Sequence, residues 1–116
     1  MKIELAKTEI IHFIGIGGIG MSGLSLIMKA KGFKIQGSDL SLNKNVERLK
    51  KEKIKVFIGQ KKQNIKNATI IVKSSAIKKD NPEILEAKRK NLPVITRGKM
   101  LAHIAVSYTH LRAHET

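Results

Sequence analysis

Short apolar runs alternate along this chain with amphipathic or charged stretches. The first run, Ile10 to Ile14, is rich in β-branched residues and stops at a cluster of glycines, which is typical of a buried parallel strand. Similar runs predict strands at 33–38, 56–58, 68–73 and 94–95. The connections between them are too long for hairpin turns, so the pattern predicts an α/β fold with a doubly wound parallel sheet of about five strands and flanking helices.

Helix signals fall between the predicted strands. After the glycine cluster, Gly32 stands where a C-terminal cap belongs. The apolar positions predicted to share one face of this first helix are Ile19, Leu24, Ile27 and Met28. A charged helix at 43–53 is expected to bury mainly Val46 and Leu49. The polar stretch 60–67 is predicted to be a loop or a short helix.

Capping residues place the last two helices. Asn81 and Pro82 provide an N-cap and a first helical residue for a helix that runs to about residue 91. Thr96 can cap a final helix that carries Met100, Leu101 and Ile104.

Length and composition narrow the function classes. The 116 residues suffice for one domain with a modest core. There is no cysteine, which excludes disulfides and thiolate metal sites. We find no signal peptide and no apolar run near the ~20 residues that span a bilayer, so we expect a cytoplasmic protein with no membrane partner.

The chain is strongly basic, with 23 Lys and Arg against 9 Asp and Glu and a formal net charge of +14. Such a balance is compatible with a polyanionic partner. The lysines are spread through every segment, however, and only one Tyr and three Phe are present for base stacking. We therefore expect no nucleic-acid partner. A basic nucleic-acid-binding module remains the alternative, and it would show steeply salt-dependent binding to DNA.

The glycine cluster matches the pattern G-x-G-x-x-G of Rossmann-like dinucleotide-binding folds, directly after a strand and at the start of a helix. Gly15 would permit the tight turn, Gly17 and Gly18 would let a ligand approach the backbone, and Gly20 would let the helix pack closely. The helix N-terminus offers N–H groups to a pyrophosphate, and the Ser22 hydroxyl can add another donor. The alternative is that the glycines only form a turn.

Polar residues follow three other predicted strands. Asp39 lies near the offset at which such folds place an acid for ribose hydroxyls, but it fits a turn or capping residue equally well. If the strand order is 3-2-1-4-5, Ser74 and Ser75 lie opposite the glycine loop and can reach phosphate or sugar oxygens; otherwise they are an ordinary strand end. Gln60 follows the third predicted strand and would therefore lie at the far lip of the same site.

Histidines give no convincing metal site. His12 lies inside the first strand, where a packed and hydrogen-bonded histidine is expected. His110 and His114 have the i,i+4 spacing of helical metal ligands, with Glu115 adjacent, but no third ligand is evident. We expect neither a metal site nor a catalytic residue in this chain.

The stretch HFIGIGGIGMSGLS at 12–25 resembles the opening motif of UDP-N-acetylmuramate:L-alanine ligases, a branch of the Mur ligase family. Further matches continue in register as GSD at 37–39, VFIG at 56–59, SSAIKKDNPEI at 74–84 and PVITR at 93–97. Together they cover residues 10 to about 105. The resemblance implies that residues 1–106 form the N-terminal domain that binds UDP-N-acetylmuramate for peptidoglycan synthesis.

The resemblance also implies roles for individual residues. Pyrophosphate contacts would come from the glycine loop and the first helical turn, and nucleoside or sugar contacts from the regions after the second and fourth strands. The residues that it marks as binding UDP-N-acetylmuramate are Gly15, Gly17, Gly18, Ile19, Gly20, Met21, Ser22, Ser38, Asp39, Ser74 and Ser75. In the complete ligase, ATP and Mg²⁺ activate the muramyl carboxylate as an acyl phosphate, which the amine of L-alanine attacks.

Two departures from the family pattern stand out. Gln60 replaces a histidine that the family usually shows after the third strand, although an amide can still donate a hydrogen bond. After Val106 the family continues into a Gly-Thr-His-Gly-Lys-Thr phosphate loop, whereas this chain reads SYTHLRAHET. That ending resembles translated sequencing adapter, so we expect residues 107–116 to be a non-native tail. We also expect the chain to bind no ATP, Mg²⁺ or L-alanine and to be inactive in ligation.

Two further alternatives remain from the sequence. The ligase that joins a recycled tripeptide to UDP-N-acetylmuramate has a similar N-terminal domain, although its glycine motif usually differs. An NAD-binding half-domain of an oxidoreductase shares the glycine loop and the acid, but it does not explain SSAIKKDNPEI at 74–84. Stabilisation by a UDP-sugar or by NAD would separate these classes.

Overall fold

The protein is an α/β domain in a computed structural model that describes the backbone of residues 5–115 and the side chains of residues 5–106. The strands are β1 (Ile10–Ile14), β2 (Lys34–Asp39), β3 (Lys55–Ile58), β4 (Ile70–Lys73) and β5 (Val94–Thr96). The helices are α1 (Ile19–Ala30), α2 (Lys44–Lys51), α3 (Pro82–Arg89) and α4 (Arg97–Glu115), with a 3₁₀ turn at Lys62–Ile65. The predicted elements are therefore all present; most of their ends shift by a few residues, and α4 is longer than predicted.

All the pairings in the five-stranded sheet are parallel, in the order β3-β2-β1-β4-β5. The predicted order 3-2-1-4-5 is confirmed. The chain winds outward from β1 in one direction and then, from β4, in the other. The order reverses between β1 and β4, and folds of this kind bind ligands in the crevice beyond the carboxyl ends of such a strand pair.

Helix α1 ends as the sequence predicts but buries a different face. Gly32 has φ +97°, and the N–H of Phe33 donates to the carbonyl of Met28, which closes the helix with an αL cap. The buried apolar side chains of α1 are Met21, Leu24 and Met28. The expected burial of Ile19 and Ile27 is wrong, since their side chains are 90% and 47% exposed. Met21 completes the buried stripe instead, and this leaves Ile19 beside the crevice.

The predicted N-cap of α3 is confirmed, and α2 also begins with an asparagine cap. The side chain of Asn43 accepts from the N–H of Val46, and Val46 and Leu49 are the buried residues of α2. The side chain of Asn81 accepts from the N–H of Glu83 at 2.9 Å, with Pro82 as the first helical residue. Both side chains supply acceptors to N–H groups that the helix itself leaves unpaired.

The sheet separates two apolar clusters. The larger contains Phe13, Leu24, Leu49 and Met100 and packs α1, α2 and α4 on one face. The smaller contains Ile14, Ile65, Ile71, Ile84 and Ala87 and packs α3 and the 3₁₀ turn on the other. β1 is buried almost completely because it lies between both clusters, which explains its continuous apolar sequence.

Helix α4 extends beyond the segment that the sequence predicts. It begins at Arg97, after Thr96, whose hydroxyl accepts from the N–H of Lys99 at 3.3 Å, and it reaches Glu115. The side chains of 107–116, including His110 and His114, lie outside the described residues, so the boundary at residue 106 and the non-native tail stay predictions. In the described part of the chain, no helix has the length and hydropathy to cross a bilayer.

Candidate functional site

The parallel register brings the ends of the strands to one level. Ile14 pairs with Ser38 of β2 and with Lys73 of β4, and Lys73 pairs with Thr96 of β5. The last residues of these strands and those that follow them therefore share one edge of the sheet. In spatial order they include Gly59 and Gln60, Asp39, Gly15, Ser74 and Arg97. Segments far apart in the sequence thus line one crevice.

The glycine loop is held in shape by main-chain hydrogen bonds. Gly15 has φ +77°, a conformation that disfavours any side chain. The N–H groups of Gly15 and Ile16 both donate to the carbonyl of Ser38 at 2.9 Å. The N–H of Gly18 donates to the carbonyl of Gly15 at 3.1 Å. The glycine loop is thus fixed by the protein's own main chain.

The first turn of α1 presents unpaired donors to the crevice. The first N–H of the helix that finds a partner is that of Ser22, which donates to the carbonyl of Gly18 at 2.8 Å. Within the described residues, the N–H groups of Ile19, Gly20 and Met21 have no acceptor, and Gly18 supplies no side-chain cap. These groups and the positive end of the helix dipole favour an anion at this position.

Gly17 serves the protein's own packing rather than an open approach to the backbone. Its N–H donates to Oδ2 of Asp39 at 2.7 Å, and its carbonyl accepts from Nδ2 of Asn45 at 2.8 Å. A methyl group at Gly17 would lie 2.6 Å from that Asp39 oxygen and 2.8 Å from a methyl carbon of Val46. Gly17 is therefore required because the β2–α2 connection packs directly against it.

Asp39 binds the loop and keeps capacity for a ligand. Its Oδ1 accepts from the N–H of Leu40 at 2.8 Å, while Oδ2 accepts from Gly17. A carboxylate has about four acceptor positions, so a sugar hydroxyl can still donate to it. The turn role and the ribose role that the sequence left open are therefore compatible.

The four serines of the predicted site are in two different environments. Ser22 and Ser38 are buried, and their hydroxyls donate to the Ile19 carbonyl at 3.1 Å and to Oε1 of Glu83 at 2.8 Å. Ser74 is half-buried and Ser75 exposed, and neither hydroxyl makes a hydrogen bond within the described residues. The Ser74–Ser75 pair is thus free to meet a ligand.

Gln60 lies at the lip where the sequence predicts it. Its Oε1 accepts from Nδ2 of Asn81 at 2.6 Å, which joins the end of β3 to the start of α3. The amide nitrogen of Gln60 therefore remains as the donor, since an amide has one oxygen and one NH₂ group.

Arg97 is a charged residue of the site that the sequence reasoning did not single out. A methyl group at Gly20 would lie 3.1 Å from Cδ and Nε of Arg97 and 3.2 Å from Cζ, so the Arg97 side chain packs against the first turn of α1. The side chain is half-buried and forms no ion pair within the described residues. The sequence signals were its place directly after β5 and its position at the end of PVITR, one of the stretches that resemble the ligase family.

A buried polar cluster beneath this edge of the sheet was likewise not predicted from the sequence. Glu83, fully buried at the start of α3, accepts from Nε2 of His12 at 2.6 Å and from the Ser38 hydroxyl. The interpretation of His12 as a packed, hydrogen-bonded histidine is confirmed. Glu83 belongs to the stretch that resembles the ligase family, but nothing in its local pattern indicates burial.

The described residues offer no set of metal ligands. No group of three His, Cys, Asp or Glu side chains lies close enough together in this part of the chain to hold a cation. The polar groups at the crevice suit an anionic, hydroxylated ligand: main-chain N–H groups, a guanidinium and two serine hydroxyls can donate hydrogen bonds, and one carboxylate can accept them.

Sequence comparison identifies close relatives. A UDP-N-acetylmuramate–L-alanine ligase of Pelagibacter ubique is 69% identical over 104 residues, which is 90% of this chain and 22% of the relative. The corresponding ligase of Aquifex aeolicus is 54% identical over 106 residues, covering 85% of this chain and 23% of the relative. The chain thus spans less than a quarter of the length of these two relatives.

Solved structures agree in fold. The UDP-N-acetylmuramate–alanine ligase of Thermotoga maritima superposes with a TM-score of 0.81 at 31% identity, over 84% of this chain and 23% of that one. The UDP-N-acetylmuramate:L-alanyl-γ-D-glutamyl-meso-diaminopimelate ligase of Neisseria meningitides gives a TM-score of 0.77 at 28% identity, over 82% and 30%. Residues 10–109 match the family described as "Mur ligase family, catalytic domain". The chain therefore belongs to the Mur ligase family.

Proposed function

We propose that this chain binds UDP-N-acetylmuramate as the N-terminal domain of the ligase that adds L-alanine to it. The observation that carries the proposal is the crevice, where the unpaired N–H groups of α1 face the same space as the guanidinium of Arg97. Main-chain donors, a helix N-terminus and an arginine together suit the diphosphate of a nucleotide sugar. The ligase relatives at 69% and 54% identity support this choice of ligand.

Different residues of the site are assigned to different parts of the proposed ligand. Gly18, Ile19, Gly20 and Met21 border the diphosphate, and Arg97 adds its charge beside the same helical turn. Asp39 faces the ribose, while Ser74 and Ser75 offer hydroxyls just beyond the end of β4. Gly15, Gly17, Ser22 and Ser38 support the same site through the shape of the loop and first turn. This assignment keeps every residue that the sequence marks and adds Arg97.

Catalysis is proposed for the complete ligase and not for this chain. The chain covers 22% and 23% of its two ligase relatives, which are about four times longer. ATP, Mg²⁺ and L-alanine would bind elsewhere in the complete enzyme, and we assign no step of the reaction to the residues described. The expected setting is the bacterial cytoplasm, where the nucleotide precursor of peptidoglycan is processed.

UDP-N-acetylmuramate is expected to raise the melting temperature of the chain. A ligand that binds only the native state, present at a hundred times its Kd, contributes about 2.7 kcal/mol to stability. For a domain of this size that corresponds to a rise of roughly 10 °C. Differential scanning fluorimetry with millimolar ligand measures the shift.

NAD and DNA serve as controls for the other function classes. We expect no shift with NAD, and no binding of duplex DNA that falls steeply with salt. A shift with NAD and none with UDP-N-acetylmuramate would move the chain to the oxidoreductase class. The tripeptide-joining ligase uses the same nucleotide sugar, so it is separated from the proposed function only by the amino-acid substrate of the complete enzyme.

Gly18→Val is expected to abolish ligand binding while the domain stays folded. Gly18 has φ −65° and ψ 155°, which other residues adopt easily, and a methyl group there would be 3.4 Å from the nearest atom, the Gly15 carbonyl oxygen. The added side chain therefore projects toward the crevice without strain inside the protein. Isothermal titration calorimetry with UDP-N-acetylmuramate measures the loss.

Gly17→Val is the matched comparison at the neighbouring position. Its side chain would collide with Asp39 and Val46, so we expect a lower melting temperature as well as lost binding. If Gly18→Val retained wild-type affinity, the loop would be only a turn.

A further inference from the structure

One buried carboxylate joins the segments that line the crevice. Glu83 is 0% exposed, and its Oε1 accepts from Nε2 of His12 at 2.6 Å and from the hydroxyl of Ser38 at 2.8 Å. Its Oε2 accepts from Nδ2 of Asn64 at 2.9 Å and from the N–H of Lys61 at 3.2 Å. The four donors come from β1, β2 and the connection after β3.

The directions of these hydrogen bonds are fixed by their outer partners. Nε2 of Gln36 donates to the carbonyl of Asn64 at 3.0 Å, and a carbonyl can only accept. The same nitrogen lies 2.8 Å from Nδ1 of His12, so Nδ1 is the acceptor and the ring proton is on Nε2, facing Glu83. His12 is therefore a neutral donor. An ionised carboxylate matches four donors, because it can only accept.

This arrangement is poorly explained by stability alone. Removing a charge from water costs free energy, and an apolar side chain in a well-packed site avoids that cost. The hydrogen bonds and the N-terminal end of α3, where Glu83 is the second residue, offset part of it. A buried charge with four directed bonds does, however, specify one geometry for the groups around it.

We propose that Glu83 is a positioning residue that sets the shape of the nucleotide-sugar crevice, an inference that rests on the proposed function. Through the Ser38 hydroxyl it fixes the end of β2, and the carbonyl of the same Ser38 holds the N–H groups of Gly15 and Ile16. Through Asn64, whose Nδ2 also donates to the carbonyl of Gly59, it fixes the end of β3. Glu83 itself touches no ligand.

Glu83→Gln tests the proposal with almost no change in size. Glutamine presents one oxygen and one NH₂ group, so two of the four donors would face another donor. Rearrangement at Ser38 or Asn64 would shift the glycine loop or the end of β3. We expect the Kd for UDP-N-acetylmuramate to rise roughly 10-fold, as is common when a supporting residue behind a binding group is changed.

Amide hydrogen exchange distinguishes positioning from a general loss of stability. If Glu83 acts through Ser38, exchange at Gly15 and Ile16 accelerates in Glu83→Gln while exchange at central strand positions such as Phe13 and Val72 does not. A purely structural role would accelerate exchange across the sheet together.

The matched control is Glu86→Gln on the same helix. The hydrogen bond from Arg89 lowers the pKa of the Glu86 carboxyl, so it too carries a charge, but at the surface.

Ser38→Ala provides a second variant if Glu83→Gln fails to fold. Ser38→Ala removes one of the four hydrogen bonds to Glu83 and leaves the main chain of Ser38 in place. We therefore expect the same local acceleration of amide exchange and a higher Kd for UDP-N-acetylmuramate. The proposal is wrong if both variants fold and keep wild-type affinity and wild-type amide exchange. If only Ser38→Ala folds, the same result in that variant alone overturns it. Uniform acceleration of exchange across the sheet would also overturn it. If the wild-type chain does not bind UDP-N-acetylmuramate, the proposed function fails, while the exchange pattern still decides the role of Glu83 in the loop.

Discussion

Replacing Arg97 with alanine is expected to weaken UDP-N-acetylmuramate binding by roughly 10- to 100-fold. A hydrogen bond to a charged group contributes about 1.5–3 kcal/mol, and each 1.4 kcal/mol is about tenfold in Kd. The Arg97 side chain packs against the first turn of α1 and has no ion-pair partner within the described residues, so its charge is available to a diphosphate. Calorimetric titration of Arg97→Ala measures the change.

Two comparisons make this test specific for the diphosphate. Uridine lacks phosphate, so its weaker binding should be the same in wild type and Arg97→Ala. Lys99→Ala removes an exposed cation two residues further along α4 and is expected to bind normally. If Arg97→Ala kept its affinity for the nucleotide sugar, or lost affinity for uridine equally, the assigned role of Arg97 would be wrong.

Gly37→Val is expected to prevent folding or to destabilise the domain severely. A single methyl group at Gly37 would lie 2.6 Å from Cβ and Cδ1 of Ile16 and 2.7 Å from the carbonyl oxygen of Phe13. Ile16 is fully buried, and the carbonyl belongs to the neighbouring strand, so neither can move away easily. Overpacking typically costs about 1–3 kcal/mol, and a valine beside two rigid neighbours is expected to exceed that range.

Gly23→Ala is the control for this substitution. Gly23 lies within α1, and a methyl group there would meet nothing within 4 Å. Alanine lowers the entropy cost of helix formation, so a gain of roughly 0.5–1 kcal/mol is expected. Urea unfolding followed by circular dichroism compares the two variants with wild type. A Gly37→Val protein as stable as wild type would show that β2 and the Ile16 turn can separate without loss.

The close approach at Gly37 also connects stability with the site. Ile16 lies inside the glycine loop, and Gly37 precedes Ser38, whose carbonyl holds that loop. The loop is therefore pressed against β2 and hydrogen-bonded to it at consecutive residues. A loop held in this way has little conformational freedom to lose when a ligand binds, which favours affinity.

Local sequence patterns determined the fold of this protein. Apolar runs such as Ile10–Ile14 marked the strands, and Gly32 and Asn81 marked helix ends, because caps and buried strands depend on interactions between near neighbours in the chain. The glycine loop was predicted for the same reason, as its geometry is local.

Burial on α1 shows where such patterns fail. Ile19 and Ile27 have the right spacing for a shared face, but helical spacing cannot say which of several apolar stripes meets the sheet. Met21 is buried instead because of the way the helix lies over β1 and β2. The exposure of Ile19 beside the crevice is likewise a consequence of docking.

Tertiary structure alone decided how the site is assembled. The glycine loop, Asp39, Ser74 and Arg97 are separated by long stretches of sequence and meet only because the parallel register aligns the ends of their strands. The burial of Glu83 depends on donors from three other segments, and the need for glycine at position 37 depends on contact with Ile16. The sequence by itself determined the helices and strands and the family that the chain resembles, because both depend on the spacing of residues close together in the chain. The charges and contacts at the crevice arise from packing between distant segments, which that spacing does not describe.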